Sequence, residues 1–237
     1  MKRFAITLIS MLFALTLSAQ TTYVLLTGVS NYNDPKNNLQ STTKDVKDLA
    51  AIFKQFPNTK TVMLTSKHAT AENVTKKLKA ILTLAKKEDR IIFFFSGHGS
   101  TDNMVYYNGG FYNYGSLIKL FATAKTDKVY AFIDCCHSGT AKKFAEDPAY
   151  TSNHKMTLFL ATRDDEFSKD NVLLRNGIFT QLLLNGLRGL SDSNKDKAIT
   201  VSELYTYMYK EVLKVEPRQH TQLVCTKDAL DAVLLKW

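Results

Sequence analysis

Residues 91–95 read Ile-Ile-Phe-Phe-Phe, with no polar side chain for either face of a strand. Successive strand residues point to opposite faces, so this run is stable only when both faces are covered. It predicts a central strand of a parallel sheet with helices packed on both sides. Apolar runs predict further strands over 23–29, 61–64, 129–133 and 156–161. Between them apolar residues recur at helical spacing: Val46, Leu49, Ala50 and Phe53 after Thr43, then Val74, Leu78, Ile81, Leu82 and Ala85 behind the capping residue Thr70. Helices are also predicted over 116–122, 179–190 and 201–213, and a hairpin over 104–114 broken by Gly109-Gly110. With no internal repeat and no low-complexity linker, the pattern is one α/β domain. Its functional crevice is expected beyond the carboxyl ends of the strands.

The first twenty residues stand apart from that pattern. Lys2 and Arg3 precede an apolar stretch over 4–17, and Ser18, Ala19 and Gln20 offer a small-residue processing site. This predicts a signal peptide over 1–20 and a folded domain over 21–237. The protein is expected to be exported, periplasmic or extracellular, with no integral membrane segment once the signal is removed. Net charge falls from +9 to +7 when Lys2 and Arg3 leave. The lysine pairs at 76–77, 86–87 and 142–143 are scattered along helix faces and loops. Nucleic-acid binding wants a concentrated basic stripe with aromatic interleaving, so a solvated surface is the better account and no nucleic-acid partner is expected. The expected partner is a protein or peptide substrate met by a monomer.

Three cysteines cannot all pair. Cys225, inside Leu223-Val224-Cys225, reads as a buried small residue, which leaves Cys135 and Cys136 in "FIDCCHSGT". The strand over 91–95 runs into "SGHGS" and places His98 just past its carboxyl end; the strand over 129–133 places Cys136 just past its own. A histidine that ionises a thiol and then protonates a leaving amine is what nucleophilic thiol catalysis needs. Period-two alternation puts Ser96 with His98 and Asp134 with Cys136, and sends Cys135 the other way into a helix-packing layer. Cys136 is therefore the nucleophile on geometry. Gly97 and Gly99 are expected to leave room for a substrate backbone.

"SGHGS" followed by "DCCHSG" resembles the caspase-like cysteine peptidases, and is most similar to metacaspases and their bacterial relatives. "YVLLTGVSNY", "NGIFTQLLLNGLRG" and "DSNKDKAITVSELYTYM" extend the resemblance over most of the mature chain. The Gln-Ala-Cys-x-Gly signature of true caspases is absent. The resemblance implies a caspase-like three-layer sandwich with a sheet of about six strands, in a large and a small subdomain. It makes His98 the general acid/base and Cys136 the nucleophile, with the Gly99 and Cys136 amides as oxyanion hole. It also makes 139–155 the loop where relatives cut themselves, with basic sites at Lys142-Lys143, although single-chain activity is equally expected.

Where caspases carry a glutamine among arginines that bind substrate aspartate, this chain carries Asp134. A carboxylate there attracts arginine or lysine and repels aspartate. Ser96 adds a neutral hydrogen bond, as the similar serine does in metacaspases. The further pocket acid that those enzymes often carry after a proline is missing: residues 104–123 contain neither proline nor acid. Asp102, or Asp164 and Asp165, are the candidates to compensate.

Three other readings remain. His98, Cys135, Cys136 and His137 could form a zinc site, but adjacent strand residues diverge and no Cys-x-x-Cys spacing is present. Asp192, Asn194, Asp196 and Glu203 fall at positions 1, 3, 5 and 12 of a calcium loop whose glycine position holds Lys197; the better account is that Thr200 and Glu203 form a capping box for the next helix. The dyad scheme itself requires no cofactor. Finally, the chain could be a catalytically silent caspase-like module used for binding.

Overall fold

A computed structural model of the chain describes residues 20–152, 154–168, 170–171 and 176–237. Six strands form the main sheet: β1 (Thr22–Gly28), β2 (Thr59–Thr65), β3 (Arg90–Ser96), β4 (Val129–Asp134), β5 (Thr157–Leu160) and β6 (Gln222–Val224). Their order is β6-β5-β4-β3-β1-β2, parallel throughout except for β6, which runs antiparallel to β5. The five-residue apolar run lies in β3, paired on both edges, as its two apolar faces require.

Five helices cover the faces: α1 (Thr42–Phe53), α2 (Ala71–Leu84), α3 (Tyr114–Phe121), α4 (Ile178–Asn185) and α5 (Val201–Val215). Alternation along β3 divides the core in two. Ile91, Phe93 and Phe95 pack with Val74, Leu78 and Ile81 of α2 and Leu117 and Phe121 of α3. Ile92 and Phe94 pack with Val46 and Leu49 of α1, Phe179 and Leu183 of α4, and Leu204 and Met208 of α5. The result is a three-layer α/β sandwich.

The chain leaves β1 for β2 at one edge and returns to β3 on the other side of β1. Neighbouring strands β1 and β3 therefore send their following loops in opposite directions, and a crevice opens at their carboxyl ends. There α1 approaches so closely that a Cβ on Gly28 would lie 2.6 Å from the Thr42 carbonyl oxygen.

Several expected boundaries move. The helix expected over 179–190 ends at Asn185, and a wide turn over Gly186–Leu190 follows, in which Gly189 takes φ 107°. β6 and the antiparallel pair Ala198–Thr200 with Val233–Lys236 are three or four residues long, too short to carry a periodicity signal. The expected loop over 139–155 contains two short helices, Ala141–Ala145 and Pro148–Thr151. Cys225, expected to be buried, is only partly so, because it follows the edge strand β6.

Candidate active site

β3 and β4 end in register, Ser96 opposite Asp134, and the Gly97 amide donates to the Asp134 carbonyl at 3.2 Å. From this common end Ser96, Gly97, His98, Asp134 and Cys136 line one cleft of about 340 Å³, joined by Leu39, Thr42 and Ser168. Ser96, His98, Asp134 and Cys136 come together as side-chain alternation requires, with Gly97 between the first two.

The His98 ring nitrogen Nε2 lies 2.8 Å from the Asn37 carbonyl oxygen. A carbonyl can only accept, so Nε2 carries the hydrogen, which leaves Nδ1 as the accepting nitrogen of the ring. Asn37 closes a short helical turn, Pro35–Asn37, capped by the Asp34 side chain. Sequence reasoning passes over this contact because a backbone carbonyl leaves no residue signature.

Cys136 Sγ sits 3.8 Å from the Ser168 carbonyl oxygen. Cys135 faces the opposite layer, 1 % exposed, with its Sγ 3.2 Å from the Tyr114 hydroxyl. Burial pushes the Cys135 thiol well above its ordinary range, and the Tyr114 hydrogen bond offsets only part of that. Gly97 and Gly99 are held to glycine by their own neighbours, apart from the expected substrate access. A Cβ on Gly97 would meet the Phe95 ring and the Tyr32 hydroxyl, and one on Gly99 would collide with the Cys136 carbonyl oxygen and Cys135 Sγ. Gly99 lets the histidine loop lie directly on the cysteine loop, and Gly97 lets it lie against Tyr32.

The cleft floor is acidic. Asp134 is 5 % exposed; its Oδ1 accepts from the Ser168 hydroxyl and its Oδ2 from the Thr180 hydroxyl, each at 2.7 Å. Ser96 Oγ donates to Asp45 Oδ2 at 2.9 Å, and Asn176 Nδ2 donates to the other Asp45 oxygen at 2.7 Å. Asp45 is fully buried on α1. It reads in sequence as an ordinary first-turn acid of a helix, and its only hint is that it abuts the apolar stripe at Val46. The acids put forward as compensation lie elsewhere. Asp164 and Asp165 line a second groove with Thr101, Lys142 and Arg163, and Asp102 pairs with Lys143 at 2.7 Å.

The loop after β5 is fastened to the cysteine loop. The His137 amide donates to the Glu166 carbonyl at 2.9 Å, and His137 Nδ1 lies 2.8 Å from the Asp164 carbonyl oxygen, so His137 is a local hydrogen-bonding residue. Glu166 itself accepts from the amides of Arg163 (3.1 Å) and His220 (2.8 Å), and the His220 ring lies 2.5 Å away. Burial works against its ionisation, but the hydrogen bonds from His220 and Arg163 outweigh it and hold the carboxyl below the usual range.

The zinc reading fails because Cys135 points into the core, away from His98 and Cys136. Among the described residues no three of His, Cys, Asp or Glu gather as a metal would need. In the loop over 192–203, Asp192 accepts from the Asp196 and Lys197 amides, and Asp196 from the Ala198 amide. Lys197 takes φ 65° where the calcium loop would have glycine. The Thr200–Glu203 capping box is formed at the start of α5.

Residues 21–232 match the caspase-domain family, peptidase C14. The chain belongs to the caspase-domain family of cysteine peptidases. No curated protein matches it. Among solved structures it is similar to protein GSU0716 from Geobacter sulfurreducens, at 19 % identity and a TM-score of 0.65, over 90 % of this chain and 97 % of that one. That likeness is one of fold, and the six-stranded, mostly parallel sheet is the caspase-like one.

Proposed function

We propose that this caspase-domain protein is an exported cysteine endopeptidase that cleaves after arginine or lysine. The observation that carries the reading is a single cleft lined by His98, Cys136 and the Asp134 carboxylate. In this scheme the Cys136 thiolate attacks the scissile carbonyl carbon, and the Gly99 and Cys136 amides receive the charge that develops on its oxygen. As the tetrahedral species collapses, His98 Nδ1 gives its proton to the leaving amine. It then takes one from the water that hydrolyses the thioester. Thiol and imidazole supply nucleophile, acid and base, so no metal enters any step.

Specificity follows from the floor. Asp134 gives a guanidinium a planar carboxylate to meet, Ser96 adds a hydroxyl on the His98 side, and Asp45 stands directly behind Ser96. The same charges repel a substrate aspartate. The test is a peptide panel differing only in the residue before the scissile bond, assayed with residues 21–237. Cleavage after Arg, then Lys, is expected, with near-total loss in Asp134→Ala. Efficient cleavage after Asp with Arg peptides intact would refute the specificity. No cleavage of any peptide, with Cys136 inert to a thiol probe at neutral pH, would mark the domain as a silent binding module.

A further inference from the structure

The loop between β1 and α1 grips His98 from two sides. One contact is the Asn37 carbonyl on Nε2. The other is Tyr32, 7 % exposed, whose hydroxyl accepts from the His98 amide at 2.8 Å and donates to the Val105 carbonyl at 3.3 Å. The Tyr32 ring also packs on the imidazole, with centroids 4.9 Å apart and planes inclined by 42°. The hydroxyl lies so close to the turn that a Cβ on Gly97 would sit 2.9 Å from it.

Tyr32 and Asn37 belong to one loop closed by its own hydrogen bonds. The Tyr32 amide donates to Asn38 Oδ1 and the Leu39 amide to the Ser30 carbonyl, both at 2.8 Å. Burial raises the Tyr32 phenol well above its ordinary range, so it stays protonated and keeps both hydrogen-bonding roles at any pH the enzyme meets.

We propose that Tyr32 is a positioning residue for the catalytic imidazole: its hydroxyl fixes the His98 main chain and its ring fixes the imidazole plane, so that Nδ1 is presented to Cys136. The proposal rests on the His98–Cys136 chemistry above and is independent of the arginine preference. With Nε2 tied to a carbonyl, ring rotation is the freedom left to the imidazole, and the Tyr32 face restricts it. A thiolate–imidazolium pair depends on that orientation.

Two variants test it, Tyr32→Phe, which removes only the hydroxyl, and Tyr32→Leu, which also removes the ring. On whichever peptide of the panel the wild-type protein cleaves best, kcat should fall about tenfold in Tyr32→Phe, the scale of one buried amide left unsatisfied. In Tyr32→Leu it should fall about 100-fold, the scale of a misplaced catalytic group. KM should stay within about twofold in both, since no substrate contact is lost. The second readout needs no substrate. The pH midpoint of Cys136 alkylation by iodoacetamide, mapped by mass spectrometry, should rise in both variants towards the ordinary thiol value of about 8.5. A wild-type protein that cleaves nothing but shows this shift keeps the positioning role and loses the peptidase reading. Unchanged kcat and midpoint in both variants would overturn the proposal. So would a raised KM and lowered melting temperature with the midpoint unmoved, because that is loosened packing alone.

Discussion

At 135 and 136 a step of one residue gives two thiols different chemistry. Cys135 lies in the α2–α3 layer against Tyr114, where burial keeps it protonated and therefore a poor nucleophile. Cys136 opens into the cleft with His98. Cys136→Ala is expected to abolish peptide hydrolysis. Cys135→Ser should keep most of it, at a cost of about 1 kcal/mol in stability because Tyr114 can still partner the buried hydroxyl. Activity assays with urea unfolding of both variants check this; a dead Cys135→Ser beside an active Cys136→Ala would mean the register is wrong. This register was legible in the sequence because strand alternation has a fixed period. Asp45 and Asn37 were not, since one acts from the buried face of the first turn of α1 behind Ser96 and the other through its main chain. The close approach of Tyr32 to Gly97 and of Cys135 and Cys136 to Gly99 was not legible either, because those neighbours are distant in sequence.

At the scale of elements, the strands of the main sheet up to β5, the five longer helices and the hairpin Asn103–Val105 with Phe111–Asn113 were readable, whereas β6, the pair Ala198–Thr200 with Val233–Lys236 and the short helices over 141–151 were not. The segment over 139–155 shows the consequence. Lys142 and Lys143 lie in the helix Ala141–Ala145, and Lys143 is tied to Asp102. A peptidase binds its substrate extended, so self-cleavage there first requires that helix to unwind. The loop after β5 is held instead by Glu166, which joins it to the residues before β6. The Glu166 carboxyl is depressed in the folded state, so the folded chain binds fewer protons than the unfolded one as pH falls through the carboxylate range. Its stabilisation is present above the unfolded value of about 4.3 and is lost as pH drops through the lower folded value. Melting temperatures from pH 7 to pH 3 should therefore fall less steeply in Glu166→Gln than in wild type, from a lower starting point at neutral pH. Parallel curves would show that Glu166 makes no such contribution.

For the molecule as a whole, the start of β1 sets where the chain could be trimmed if it is exported as proposed. The Thr21 amide donates to Asp89 Oδ1 at 2.9 Å, the Arg90 amide donates to the Thr21 carbonyl at 2.9 Å, and the Thr22 amide donates to the Asn58 carbonyl at 3.0 Å. Asp89 is 4 % exposed and otherwise accepts from the Lys86 amide at 2.8 Å. A cut after Ala19 preserves all of these bonds. A cut after Thr21 removes both the donor to the buried Asp89 carboxylate and the acceptor of the Arg90 amide, and the first loss alone costs about 1–3 kcal/mol. For a chain of this size that lowers the melting temperature by about 2–4 °C per kcal/mol. Mass spectrometry of the natively produced protein is expected to find its N-terminus at Gln20 or Thr21. The 20–237 chain should melt with the longest form that can be purified, and the 22–237 chain several degrees below. An intact Met1 in the cytosolic fraction would overturn the export proposal. Equal melting of 20–237 and 22–237 would remove the structural reason for a cut at that point.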